Sequence, residues 1–402
     1  TRYSSRDRKI DVLVRAQESD RASVDDIRHL IVNPGGGAPV ELASVAEVVS
    51  TTVLEAAIPD EAFRVGKRQT VRLGDVEMGA QVVEIVVPTD GVGWDMEASA
   101  IVKATKNMAA AQKLVDSKVH GVVGHLNSGT SIPASRVYSD AGIPQISPSA
   151  TNPQFTRQGF KTTFRVVADD VHLGGTLGRY AVASLKGKSI AVIDDRTAYG
   201  MGVANEFEKG VKAAGGKVIG REFTKDSATD FTAILTTLKG KSPDVVFFGG
   251  MDAVAGPMLR QMKQLGISAK FVGGDGICSS GLPDLAQGAM ADDQVYCAEA
   301  GGVKGAAKKS MEDFKARFKE KYKMDVQVYA PYVYDSLMVM ADAMQKAGSV
   351  EPDKYLPVLA KTSGYKGVTG TISFDNKGDI KNGALTLYTF KGGKRAELAV
   401  IP

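Results

Sequence analysis

From about residue 119 onward, short apolar runs alternate with amphipathic stretches of helical period, and this alternation constrains the fold more than any other feature of the chain. Residues 119–124, 143–147, 163–166, 189–194, 217–223, 244–248 and 270–273 read as strands. Residues 131–141, 171–185, 202–214, 231–239 and 253–265 read as helices between them, one of them ended by the Gly215 and Gly216 pair. The run Val245, Val246, Phe247, Phe248 has no polar alternation, which marks a strand covered on both faces. Strands separated by helices of roughly 10–15 residues imply βαβ units and parallel sheets, so the expected class is α/β.

The rhythm changes at both ends. After Cys297 come two long helices, 307–322 and 331–347, and a short one at 353–360. The end is β-rich, with runs 370–374 and 384–390 around the turn 375–379 (DNKGD). The first 80 residues differ again: strand-like runs at 9–15 and 40–51 surround a helix at 24–30 and a turn at 34–37. The α/β rhythm begins only at 82–87, which places a boundary within 55–80. Residues 1–80 are therefore expected to form an atypical, separate or fused N-terminal segment. No fixed-period repeat is present.

Composition excludes several classes. The 50 basic and 46 acidic residues leave a net charge of +4, and the bases are mixed with acids along helical stretches such as 308–323. That is a solvated helix face, not a nucleic-acid footprint. No apolar run approaches the roughly 18 residues of a membrane-spanning helix, and no signal peptide stands at the start. Two cysteines and four scattered histidines, His29, His120, His125 and His172, do not make a zinc site. Cys278 and Cys297 are 19 residues apart, and their spacing suits either two unrelated thiols or one local disulfide. The sequence holds no GxSxG elbow and no phosphate-binding loop of the GxxxxGK type, so catalysis has no support and no cofactor is expected.

Three places carry binding chemistry. The strand-to-helix turn 124–133 (GHLNSGTSIP) and the next, 146–153 (ISPSATNP), put small hydroxyl residues at helix starts. Free backbone N–H groups and hydroxyl donors there suit a carboxylate or phosphate, although ordinary N-capping uses the same residues. Two such turns at neighbouring strand ends converge on one crevice. Asp275 lies in 273–276 (GGDG) directly after a strand, where it can pair with an ammonium group or simply cap a turn. Tyr199, in 194–200 (DDRTAYG), and Met251, after Gly249 and Gly250, also follow strand ends. They suit an apolar ligand wall or core packing.

With these turns in place, residues 105–402 resemble the branched-chain amino-acid (Leu/Ile/Val) binding proteins of bacterial ABC importers, which have the type I periplasmic-binding fold. The matching stretches are 122–135 (VVGHLNSGTSIPAS), 146–153, 198–200, 273–276 and 374–379 (FDNKGD). The resemblance implies two lobes, 81–168 plus 299–365 and 169–298 plus 366–402, joined by crossovers near 168, 298 and 365. It implies that Ser128, the Ser149 backbone and Thr151 hold the ligand, that Asp275 binds the ammonium where many relatives have Glu, and that Tyr199 closes over the ligand. Met251 replaces a family aromatic. Trp94 is the candidate for the pocket aromatic that the family supplies near its N-terminus. It further implies a periplasmic monomer that delivers an aliphatic amino acid to a membrane permease, with Cys278 and Cys297 bonded as befits a secreted protein. A ligand-sensing receptor of the same fold and, further off, an enzyme on a doubly wound fold are the alternatives. Residues 9–50 resemble a porter-region segment of resistance-nodulation-division efflux pumps, through 12–15, 23–28 and 40–46.

Overall fold

The computed structural model describes residues 104–402 apart from 306, 324 and 402, together with residues 2–5, 8–11, 70–71 and 83–84. The chain divides into two compact units, Thr1–Leu54 and Glu55–Pro402. In the first, Arg2–Ser5 pairs antiparallel with Arg8–Asp11. In the second, Thr70–Val71 pairs antiparallel with Val83–Glu84, and the described residues from Ala104 onward form two α/β layers, each around its own sheet.

The smaller sheet holds three parallel strands in chain order, Val122–Val123, Gln145–Ser147 and Thr163–Arg165. Helices Ala104–Asp116 and Ser128–Asp140 pack together beside it. Helices Ala330–Ala347 and Pro352–Leu359 cover it further. Tyr355 Oη donates to the His120 carbonyl at 2.7 Å, fixing that cover to the strand before it is reached.

The larger sheet has seven strands. In spatial order they are Lys217–Phe223, Ser189–Asp194, Val245–Gly249, Lys270–Gly273, Val295–Glu299, Leu385–Lys391 and Lys394–Ile401. The first five are parallel, and the last two add on antiparallel. Alternate residues of the central strands point to opposite faces, as strand geometry requires. Val192, Val245 and Phe247 enter one core, and Ile193, Val246 and Phe248 enter the other. The uninterrupted apolar run 245–248 is explained by this burial on both faces. From Ser189–Asp194 the chain winds to one side and then returns to the other, so a topological switch point lies between that strand and Val245–Gly249. Ligand crevices form at such points, outside the carboxyl ends of the strands.

Helices Asp170–Ala183 and Ala198–Ala213 lie side by side on the first face. Phe207 stacks on Phe247 with ring centroids 3.9 Å apart. The second helix begins at Ala198, four residues before the expected start, because Thr197 caps it by accepting the Gly200 N–H at 2.9 Å. Tyr199 thus sits in the first turn of a helix and not in a loop.

The crossovers at 168 and 300 are neighbours, with the Ala168 N–H on the Ala300 carbonyl at 3.3 Å. The third differs from expectation. Val368 and Thr369 donate their N–H groups to Asp335, and the Arg165 N–H reaches the Gly378 carbonyl at 2.9 Å. Residues 368–378 therefore pack on the side of the smaller layer, with Gly370–Ile372 paired antiparallel to Tyr365–Gly367 in a two-stranded sheet of their own, and the chain joins the larger sheet only at Leu385. A β-rich stretch announces strands without saying which sheet they serve.

Candidate functional site

The two hydroxyl turns follow the carboxyl ends of adjacent strands in the smaller sheet and are knitted to one another. Ser147 Oγ donates to the His125 carbonyl at 2.9 Å, and Ser149 Oγ to the Leu126 carbonyl at 2.8 Å. The Asn152 N–H donates to Ser128 Oγ at 3.2 Å, which leaves the Ser128 proton for an acceptor. Ser128 starts the helix Ser128–Asp140, whose N-cap Asn127 makes no side-chain capping bond. Asn127 and Ser128 line the crevice, so the positive dipole end of that helix lies at it. His125 does not face it. Its Nε2 is 2.9 Å from Tyr138 Oη, and burial pushes its pKa down to about 4, so it is a neutral support beneath the turn.

Asp275 comes from the other sheet. It begins a short 3-10 turn, Asp275–Ile277, after the strand Lys270–Gly273. This turn is clamped from several sides. The Gly276 N–H donates to Tyr199 Oη at 2.9 Å, Ser279 bonds Asp252, Arg395 holds the Cys278 carbonyl at 2.7 Å, and Cys278 is joined to Cys297 on the adjacent strand. The disulfide that the resemblance implied is thus present. Tyr329 Oη donates to Asp275 Oδ2 at 2.7 Å, while Oδ1 is buried with no hydrogen-bond partner. Burial pushes the Asp275 pKa up, and the Tyr329 hydroxyl partly offsets it. An ionised carboxylate in such a place calls for a cation.

Ser128, Ser149, Tyr199, Met251 and Asp275 line one narrow pocket together with Leu126, Asn127, Gly276 and Tyr329. The expected residues from both sheets are thus brought together. Thr151 is fully buried one step behind the others, with its carbonyl accepting the Asp170 N–H at 2.8 Å. Trp94 lies outside the described residues. Two residues of this region escaped the sequence reading. Tyr329 stands just before a helix start, with nothing local to link it to Asp275. Asp170 is wholly buried beside Thr151; burial pushes its pKa well above the usual range, and the Thr151 hydroxyl opposes that. Its signal was no more than a second acid at a helix start, next to the capping Asp169.

Residues 102–394 match the family model described as periplasmic binding protein. The chain belongs to the periplasmic binding protein family. Among relatives of this family member, the Leu/Ile/Val-binding protein homolog 1 of Brucella abortus is 36% identical over 294 residues, which are 72% of this chain and 76% of the relative. The leucine-, isoleucine-, valine-, threonine- and alanine-binding protein of Pseudomonas aeruginosa is 34% identical over 292 residues, 72% of this chain and 77% of that one. Among solved structures, a leucine-binding protein from Thermotoga maritima superposes with a TM-score of 0.69 at 27% identity, covering 75% of this chain and 85% of its own. A branched-chain amino acid transporter substrate-binding protein from Streptococcus pneumoniae, solved with isoleucine, gives 0.66 at 28%, with the same coverage. The expected two-lobed α/β periplasmic-binding fold holds. Residues 12–50, which carry the resemblance to an efflux-pump segment, lie outside the described residues.

Proposed function

We propose that this chain is the solute-binding component of an ABC importer, closing in the periplasm on an α-amino acid with a small to medium aliphatic side chain and presenting it to the membrane permease. The observation that carries this reading is the pairing across the pocket: a hydroxyl and N–H surface on one side, and the Asp275 carboxylate with its unpartnered Oδ1 on the other. Together they specify a zwitterion. Ser128 takes the carboxylate end, the Ser149 backbone and Thr151 serve both ends, Asp275 takes the ammonium, and Tyr199 and Met251 form the aliphatic wall. We assign 104–168 with 299 to about 380 to one lobe and 169–298 with about 384–401 to the other; the bonds of Val368 and Thr369 to Asp335 support the later third crossover. The relatives named for leucine, isoleucine and valine support the ligand class. We read the chain as a binder and not a catalyst.

Calorimetric titration with leucine, isoleucine, valine, alanine and threonine, with glucose and succinate as controls, tests the proposal. Saturable binding of the aliphatic amino acids is expected, and they should be recovered chemically unchanged. Asp275→Asn and Thr151→Ala should each weaken binding by about 1.5–3 kcal/mol, the usual effect of losing a hydrogen bond to a charged group. A preference for sugars or dicarboxylates would end this reading, as would turnover of the bound amino acid. Unchanged affinity in Thr151→Ala would remove that residue from the site.

A further inference from the structure

The two sheets also meet at a point outside the pocket lining. Asn152 follows the strand Gln145–Ser147 of the smaller sheet, and Ala198 opens the helix after Ser189–Asp194 of the larger one. Asn152 Nδ2 donates to the Ala198 carbonyl at 2.6 Å. The amide is oriented by its own turn. Its Oδ1 accepts the Gln154 N–H at 2.9 Å, and the Asn152 backbone N–H is held by Ser128 Oγ at 3.2 Å. With the acceptor end committed locally, the donor end faces the opposite lobe. That lobe is shaped to receive it. A Cβ on Gly202 would stand 2.6 Å from Asn152 Nδ2 and 2.6 Å from Asp170 Oδ2, distances no side-chain carbon tolerates.

We propose that Asn152 is a closure latch, a positioning residue whose bond to Ala198 stabilises the closed arrangement of the lobes and lengthens ligand residence without touching the ligand. A contact that exists only in the closed state biases the open–closed equilibrium by its own free energy, with or without cargo. Other polar contacts also join the lobes: Tyr329 to Asp275, the Asp170 N–H to the Thr151 carbonyl at 2.8 Å, and Arg157 to Asp169 at 2.7 Å. The first two involve residues assigned to the ligand and the third lies beside the crossover at 168, whereas the Asn152 amide bonds no residue assigned to the ligand on the opposite lobe. The proposal rests on the reading of the chain as a hinge-closing binder.

Asn152→Asp separates the roles of the amide, because it keeps the acceptor for Gln154 and removes the donor. Gly202→Ala attacks the same contact from the other lobe, and Asn152→Ala is the third variant. Spin labels at Asp140→Cys and Lys212→Cys report the separation of the lobes; both sites are well exposed, and the native cysteines are bonded to each other. Pulsed electron–electron distance measurement without ligand should show longer separations in all three variants than in the parent. Leucine dissociation, followed by stopped flow, should be roughly three- to tenfold faster, the factor expected from one neutral hydrogen bond. The distance readout needs no ligand, so the two readings fail separately. Unchanged distances and dissociation in all three variants overturn the latch while leucine binding stands. A parent that binds no aliphatic amino acid, yet opens on Asn152→Asp, keeps the latch and removes the ligand assignment.

Discussion

At the residue scale, the second lobe carries a buried acid that the binding chemistry does not use. Asp195 follows the strand Ser189–Asp194, and its Oδ1 accepts the Thr197 N–H at 2.9 Å and the Thr197 hydroxyl at 2.7 Å. Oδ2 is buried with no hydrogen-bond partner. Burial pushes its pKa up to about 6 from 3.8, against the pull of the Thr197 bonds. The folded state thus binds this proton more tightly than the unfolded chain. The resulting stability is fully present below the unfolded value and is lost as pH rises through about 6. A shift of this size corresponds to about 3 kcal/mol. Asp195→Asn keeps an oxygen for Thr197 and abolishes the titration. Its unfolding free energy relative to the parent should therefore improve between pH 5 and pH 8. Parallel stability curves for the two proteins over that range would contradict the assignment.

At the element scale, the fold depends on two helices that approach backbone to backbone. A Cβ on Gly174 would stand 2.6 Å from the Val203 carbonyl, and one on Gly178 would be 2.6 Å from the Val211 nitrogen. These obstacles are backbone, so no rotamer change relieves them. Gly178→Ala is expected to lower stability by about 1–3 kcal/mol, read from denaturant unfolding at unchanged m-value. An unaffected midpoint would show that the helices can separate freely. The sequence announced both helices through their apolar period, yet the start at Ala198 and the glycine seam depend on a cap and a partner helix. Nothing in the glycine spacing says that Val203, Phe207 and Val211 lie opposite.

At the scale of the whole molecule, one side chain joins segments far apart in the chain. The Arg165 guanidinium is fully buried. It donates to the carbonyls of Ala150 and Asn152 at 2.8 and 3.1 Å, to Thr156 Oγ1 at 2.7 Å, and to Asp379 Oδ1 at 2.5 Å. It thereby fixes the turn that carries Thr151 and ties the smaller sheet to the loop before the last crossover. Arg165→Met removes the donor to those carbonyls and the positive partner of Asp379, which among the described residues keeps only the Thr156 hydroxyl at 2.8 Å. A loss of about 3–5 kcal/mol in stability is expected, as when one partner of a buried ion pair is removed. Unfolding within a fraction of that of the parent would show that the tie is dispensable.

The sequence by itself determined the elements and the chemistry they carry. The apolar periods from residue 119 marked the strands and helices, the two Ser- and Thr-rich turns marked an anion surface, and Asp275 between glycines marked a place for a cation. These signals are local, because side-chain periodicity and helix starts depend on residues only a few positions apart. Tertiary structure alone decided the rest: which layer residues 368–378 pack against, that Tyr329 meets Asp275, that Asn152 reaches Ala198, and that Asp170 and Arg165 lie buried behind the turns. Each of these pairs residues distant along the chain, with no periodicity between them. Such contacts are selected by how whole layers pack, and a sequence read locally holds no trace of them.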